Sequence, residues 1–382
     1  MKIYDAIIIG AGAAGLKAAT QLHIRKKSVV VLDMGETPAR KVAISGGGNC
    51  NFTNTHADSL HYFGENPRFV LSALNQFTPF DTLNWVKQHN IDYIEKEPGR
   101  FFCKNGAENI ITALIQDIKD SEIIFNANVI SIQKNNDIFT VQTNNKIFQS
   151  KSLIVATGGL SYAHLGVSNI GHMIAKQFGH KIIPVKPGLC AIKTNCFNAE
   201  LSGISLPVEI IADKHKIKDD LLFTHFGIGG PAAYRTSLIA NDKIIINFAP
   251  KTNIFEQLKN AKKTDGKKKA STILSNFVPS KFAQFIVSDS TKNIADYKDS
   301  DLLKIADKIN KFEVTNIKPV GMQSAEVTVG GVSTDKISSK TMESQLCPGL
   351  FFAGEVLDIA GDLGGYNLQW AFSSGFVAGS NA

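Results

Sequence analysis

The spacing of apolar positions along this chain changes character twice. Near the start, Ala6-Ile-Ile-Ile9 and Val29-Val-Val-Leu32 are unbroken apolar runs of the kind that form strands buried on both faces, and the segment between them reads as a helix. Apolar residues return at helical spacing over Phe77–His89 and Asn109–Ile118. Short strands follow at Ile123–Phe125, Val129–Gln133, Phe139–Gln142 and Ile147-Phe148. With the polar turn Asn144-Asn145 they predict an antiparallel meander. Ser152-Leu-Ile-Val155 is again a buried parallel strand, ending in Ala156-Thr157-Gly158-Gly159. The texture then shifts. Lys186–Lys251 carries alternating runs such as Val208–Ile211 and Lys243–Phe248 and reads as β-rich, whereas Ile254–Lys311 is polar, lysine-rich and helical. After Val320 small residues and glycines return, with a strand before Gly354-Glu355 and a helix opening at Asn367. The βα signals at both ends predict an α/β domain that is discontinuous in sequence.

Length and composition fit that reading. A chain of 382 residues with 43% hydrophobic content has room for two or three buried cores. No apolar run approaches the roughly 20 residues of a membrane span, and no charged leader precedes the first strand, so the expectation is a cytoplasmic protein without membrane contact. Five scattered cysteines without a C-x-x-C spacing argue against a disulfide framework and against a metal site. The net charge is +7, with a basic cluster at Lys259, Lys262, Lys263, Lys267, Lys268 and Lys269. That cluster lacks interleaved aromatics and contains Thr264-Asp265-Gly266. It reads as a solvated helix end and loop, which argues against a nucleic-acid partner.

The first βα turn carries the clearest chemistry. In Asp5-Ala-Ile-Ile-Ile-Gly10-Ala-Gly12-Ala-Ala-Gly15-Leu16, Gly10 permits the tight turn, Gly12 lets backbone approach a pyrophosphate, and Gly15 allows close packing of helix on strand. Phosphates then lie on the unpaired N–H groups at the helix start. Asp33 ends the second strand roughly 20 residues on, where a carboxylate accepts ribose hydroxyls, so FAD or NAD is favoured over NADP. A second constellation, Lys41 followed by Ser45-Gly46-Gly47-Gly48-Asn49-Cys50-Asn51, is a loop whose backbone N–H groups can crowd around a ligand. A third is Gly354-Glu355, Asp358 and Asn367-Leu368-Gln369, where carboxylates and a helix start suit a flavin's ribityl chain and pyrimidine edge. No second G-x-G-x-x-G unit follows a strand, so NAD(P)H would bind transiently beside the flavin.

Together with Phe223-Thr224-His225-x-Gly227, Gly330-Gly331-Val332 and Lys340-Thr341-Met342-Glu343-Ser344, these motifs run in order along the whole chain. Their combination resembles the BaiN-like family of bacterial FAD-dependent oxidoreductases, which includes aminoacetone oxidase-like flavoproteins. The resemblance implies a Rossmann-type FAD-binding domain over 1–186 and 321–382, interrupted by a β-barrel-like domain over 187–252 and 312–320 and a small helical domain over 253–311. It implies adenosine and pyrophosphate contacts from Gly12, Ala13, Ala14 and Asp33, a backbone contact from Val129 to the adenine, and Ala156, Thr157 and Gly158 along the pyrophosphate. Lys41 and the Ser45–Asn51 loop would follow the cofactor toward the flavin, which Glu355, Asp358, Asn367, Leu368 and Gln369 would hold. Asn49 and Gly229 depart from the arginine and serine usual in that family, and both bear on substrate preference. The expected activity is hydride transfer through flavin N5 on a small organic substrate, as an NAD(P)H-linked reductase. An amine-type oxidase using oxygen and an RNA-binding or RNA-modifying flavoprotein are the alternatives. His225 is the candidate titrating group, and Tyr162, Arg100 and Tyr366 are candidates for the substrate face. Cys50 has no cysteine near it in sequence and reads as a packed thiol.

Overall fold

The computed structural model describes every residue except Met1, Asp120, Ser288 and Ser290. The chain folds as two compact units, Met1–Pro187 with Met322–Ala382, and Gly188–Gly321, each with its own hydrophobic core.

The first unit is built on a mixed sheet ordered Glu122–Ile124, Val29–Leu32, Ile3–Ile9, Ile147–Val155, Ile138–Thr143, Val129–Asn135. Ala6 to Ile9 and Val30 to Leu32 are almost fully buried, as their unbroken apolar runs require. Ile147–Val155 is one nine-residue strand, where the sequence pattern suggests two. One edge pairs in parallel with Ile3–Ile9 over Gln149–Val155. The other pairs antiparallel with Ile138–Thr143 over Ile147–Ser150, then parallel with Leu350–Phe352 over Leu153–Val155. The returning C-terminal strand thus joins the sheet beside Ala156-Thr157.

The helices Ala13–Ile24 and Tyr366–Asn381 cross on this sheet at unusually close range. Side chains at Gly375 and Gly379 would strike the carbonyl oxygens of Ala14 and Ala18, so the small residues at i and i+4 on both helices set the approach. The helix predicted over Phe77–His89 spans Pro79–Gln88 and starts in a capping box between Thr78 and Asp81.

In the second unit, seven strands pair antiparallel in the order Phe312–Thr315, Lys243–Asn247, Ser205–Ala212, His215–Thr224, Gly227–Gly229, Ile192–Lys193, Lys318–Pro319. The first and last of these are separated in sequence by Asn316 and Ile317 alone, so the sheet curls its two ends toward each other. The helices Ile254–Thr264, Ala270–Leu274, Ser280–Ile286 and Asp299–Asn310 share its core. Phe223, Phe248 and Phe282 stack at the centre of that core.

Candidate functional site

The glycines of the first βα turn do three different things. Gly10 has φ +109°, and a side chain on it would strike the Ala156 carbonyl. One on Gly15 would strike the Gly10 carbonyl. One on Gly12 would meet nothing within 4 Å. Gly12 therefore faces open space at the start of the Ala13–Ile24 helix, whose first turn has neither a side-chain cap nor an acidic residue. Gly158 is equally open, and the neighbouring Thr157 hydroxyl is buried without a hydrogen-bond partner. Uncapped N–H groups, two open glycines and an orphaned hydroxyl form a cradle that fits the pyrophosphate of a dinucleotide.

Asp33 anchors this cradle from beneath. Its Oδ2 accepts the Ala11 N–H at 2.7 Å and its Oδ1 the Gly35 N–H at 2.7 Å, which fixes the glycine turn. Arg40, absent from the sequence-based candidates, lies 3.2 Å from Oδ1 and also donates to the Leu165 carbonyl, strapping the Asp33 end of the sheet to the turn after Tyr162. The reach of Arg40 across 125 residues leaves no local signal in the sequence.

The Ser45–Asn51 loop is a run of left-handed residues, with φ of +57°, +66° and +87° at Gly46, Gly47 and Gly48 and +45° at Cys50. Ser45 donates its hydroxyl to the Val42 carbonyl, while Gly47 and Gly48 face open space. Such turns point successive backbone N–H groups to one side. Asn49 is half-buried, and its carbonyl accepts the Cys103 N–H at 2.9 Å. Cys50 is fully buried, so its thiol faces the interior. Its partner is Cys103, whose thiol is pushed far above the ordinary range by its hydrogen bond with Cys50 and by burial. Sequence proximity could not show this pair, because adjacent antiparallel strands bring it together. Asn51, with its amide oriented to satisfy both neighbours, donates to the Phe101 carbonyl at 3.1 Å and accepts the Gly365 N–H at 3.2 Å, tying this loop to the start of the last helix.

Lys41 links the loop to the C-terminal segment. Its Nζ lies 2.5 Å from Glu355 Oε2, 2.7 Å from Ser161 Oγ and 5.8 Å from the centre of the Tyr162 ring. Glu355 Oε1 accepts the Thr328 N–H at 2.8 Å and the Ser161 hydroxyl at 3.0 Å. Burial pushes the Glu355 carboxyl up, but the Lys41 charge and hydrogen bond, with those from Thr328 and Ser161, outweigh it and hold it below its ordinary value. Glu326 behaves oppositely. Burial raises its carboxyl and Lys41 offsets only part of the effect. Two carboxyls near one ammonium are therefore driven apart in acidity, the arrangement that separates an ionised group from a proton-holding one. Glu326 was missed in the sequence, where a lone acid between Ala325 and Val327, just ahead of a buried strand, is its only signal.

The remaining candidates divide by what their side chains already do. Asp358 is buried, accepts the Glu65 N–H at 2.8 Å, and has its carboxyl raised chiefly by burial. Asn367 bonds the Gly361 N–H and carbonyl and the Asp362 carbonyl. Gln369, completely buried, accepts from Thr53 and Thr82 and donates to the Phe77 carbonyl and Ser373, which completes all four bonds of its amide. Leu368 is half-buried and packs on the core, Gly354 donates its N–H to Ser374, and Val129 begins a strand opposite Thr143. Arg100 pairs with Glu97 at 2.7 Å, and Tyr366 stacks on His61. His225 lies in the second unit on the exposed turn between the His215–Thr224 and Gly227–Gly229 strands, 4.7 Å from the Phe226 ring. Among the described residues no acid, cysteine and histidine group could hold a metal ion, and no helix is long and apolar enough to cross a membrane.

Comparison with known proteins is consistent with this geometry. A protein of Haemophilus influenzae named ribosomal RNA dihydrouridine synthase is 43% identical over 97% of this chain and 96% of its own length. The Escherichia coli protein of the same name is 34% identical over 99% and 97%. The 3-dehydro-bile acid delta(4,6)-reductase of Clostridium scindens is 26% identical over 98% of both chains. The resemblance read from the motifs holds at the level of the flavoprotein family, since these names are not specifically those of BaiN-like or aminoacetone oxidase-like proteins. The expectation against a nucleic-acid partner finds no support in relatives named for ribosomal RNA. The HI0933-like protein Rossmann domain matches residues 4–381, and the chain belongs to this family of FAD-dependent oxidoreductases with a Rossmann-type α/β fold.

Proposed function

We propose that this protein reduces a uridine of ribosomal RNA to dihydrouridine, using FAD as resident cofactor and NAD(P)H as electron source. The observation that carries the reading is the 43% identity, end to end, with a protein named for that reaction. The chemistry is coherent across the named relatives. Dihydrouridine arises by saturating the uracil C5=C6 bond, which is conjugated to the C4 carbonyl, and a delta(4,6)-reductase of a 3-dehydro compound likewise saturates a bond conjugated to a carbonyl. This favours the reductase over the amine oxidase.

FAD, when bound, supplies the hydride chemistry. The Gly12–Ala14 turn and Thr157–Gly158 would hold its pyrophosphate, and Asp33 and Val129 its adenosine. The Gly46–Gly48 loop and the start of the last helix would hold the flavin end. The chain's own chemical work is then to supply a proton at uracil C5 and to stabilise charge building on O4. Glu326, whose carboxyl burial raises above its ordinary value, would hold the proton. Lys41, fixed by Glu355 and Ser161, would place a cation for the developing oxyanion. The net reaction transfers two electrons and one proton from NAD(P)H and takes a second proton from the carboxyl.

The test is direct. Ribosomal RNA from a strain lacking the gene is incubated with the purified yellow protein and NADH or NADPH, digested to nucleosides and analysed for dihydrouridine by mass spectrometry. Dihydrouridine should appear only with enzyme and reduced nicotinamide. No product with either nucleotide, and equal dihydrouridine in rRNA from the parent and deletion strains, would refute the assignment.

A further inference from the structure

Nearly all of the net charge of +7 lies in one part of the chain. Residues 251–311 contain 13 lysines against seven acidic residues, a net +6, while the rest holds 28 basic and 27 acidic residues. A solubilising surface needs no such segregation. The segment is also folded. Lys259, Lys262 and Lys263 lie at i, i+3 and i+4 on the Ile254–Thr264 helix, and Lys267 to Lys269 follow in the turn leading to the next helix. A bridge between Lys269 and Asn293, with the Ile294 N–H bonded to the Lys268 carbonyl, brings Lys292 alongside.

Few of these cations are neutralised locally. Lys262 pairs with Asp299 at 3.0 Å and Lys268 with Asp265 at 2.8 Å. Among the described residues Lys259, Lys263, Lys267 and Lys269 have no carboxylate within ion-pair distance, and the last three are exposed. Asp299 is held below its ordinary value first by Lys262 and more weakly by Lys259 and Lys263, so three ammonium groups crowd around one acid. Beside them lies an open crevice of about 520 Å³ lined by Lys251, Phe255, Leu303 and Lys311, with Asp307 also in the lining and paired with Lys311. An aromatic ring among amines suits a polymer of alternating phosphates and bases better than an acidic peptide.

We propose that the lysine face of residues 259–269, with Lys292, grips the phosphate backbone of the RNA substrate. This rests on the reaction proposed above. Phosphate neutralisation releases counterions, so each contact adds about 0.7 to the slope of log affinity against log salt for a single strand. Four contacts add about 2.8. Over a fourfold rise in salt the affinity conferred by four lysines therefore falls about 50-fold.

The experiment compares three full-length, flavin-loaded proteins, namely wild type, K259Q/K263Q/K267Q/K269Q, and a control removing equal charge elsewhere, K26Q/K27Q/K87Q/K146Q. Fluorescein-labelled oligouridylate is titrated at 50 and 200 mM salt by anisotropy, with polyglutamate as competitor, and dihydrouridine formation on rRNA is measured in parallel. Flavin absorbance and melting temperature confirm that each variant is folded. The expected result is a salt-dependent affinity loss about 50-fold smaller in the first variant than in wild type, with the control resembling wild type. An equal change in both variants, or an unchanged slope in the first, would overturn the proposal. So would a preference for polyglutamate, which would assign the face to an acidic protein. Absence of dihydrouridine even with wild type would instead overturn the reaction, while product formation with an unaltered slope would remove the surface alone.

Discussion

Removing the Lys41 ammonium while keeping its chain length, Lys41→Met, strands Glu355 at the centre of its network. The carboxylate side chain is 18% exposed and would keep only the Thr328 N–H and the Ser161 hydroxyl as donors. Breaking a buried pair by deleting one partner costs about 3–5 kcal/mol. Lys41 is 30% exposed and two donors remain, so the cost falls at or below the bottom of that range, about 2–3 kcal/mol. Glu355→Gln alone leaves a lysine that can reach water, at about 1–2 kcal/mol. The double variant removes both charges and should cost about 2 kcal/mol, well below the sum, giving a coupling near 2 kcal/mol. Both tryptophans, Trp85 and Trp370, belong to the first unit, so tryptophan fluorescence of the FAD-free protein in urea follows that unit alone. The Lys41→Met penalty should also shrink as acid protonates Glu355, because a neutral carboxyl needs no cation. Additive changes, or a penalty independent of pH, would refute the network.

Lys17 is 3% exposed and its ammonium is lowered to about 8, mainly by burial and against the pull of Asp117 and Asp81. Below pH 8 the folded state carries this buried charge at a cost of roughly 3 kcal/mol, which fades as pH rises from 8 to 10.5. After the lost contacts with Phe77 and Trp85, Lys17→Met should stabilise the first unit by about 1–2 kcal/mol in neutral urea titrations and give no gain near pH 10.5; a pH-independent gain would contradict this. Glu326→Gln should slow uridine reduction by about 10²- to 10⁴-fold. It should also abolish the fall in kcat expected of wild type as rising pH deprotonates Glu326, so a preserved alkaline limb would exclude it as the acid. Gly12→Val places a side chain in space that is open in the protein, so the variant should fold normally but purify colourless; a full flavin-to-protein absorbance ratio would show that the cradle lies elsewhere.

What was legible in the sequence is what local sterics dictate. Gly10, Gly12 and Gly15 could be assigned a turn, an open approach and a close packing contact because each role follows from the absence of one Cβ; the backbone has a positive φ at Gly10, open space at Gly12 and close packing at Gly15. The split of Ile147–Val155 between two partners was invisible, because an apolar pattern records burial and not which edge pairs with which strand. Cys50–Cys103 and Arg40–Leu165 were hidden for the same reason, being consequences of tertiary closure. Gln369 shows the opposite difficulty. A polar residue at a helix start beside a cofactor motif invites a ligand role, yet its amide is fully engaged by Thr53, Thr82, Phe77 and Ser373.

The partition of charge and chemistry along the chain has a physical logic. Discrimination of one base among many is a short-range problem, and under the proposed reaction the first unit would address it with Glu326, its carboxyl raised by burial, and Lys41, matched by Glu355. Capture of a polyanion is a long-range problem in which surplus charge raises the rate of encounter and salt lowers it. Lysines crowded around the reacting base would pull the Glu326 carboxyl down and remove its proton, because every nearby cation favours the carboxylate. Under the proposed reaction the surplus charge of residues 251–311 would serve capture of the polymer, and the groups of the first unit its chemistry. A bile acid is not a polyanion, so under the proposed reaction the two substrate classes would call for different charged surfaces on one fold.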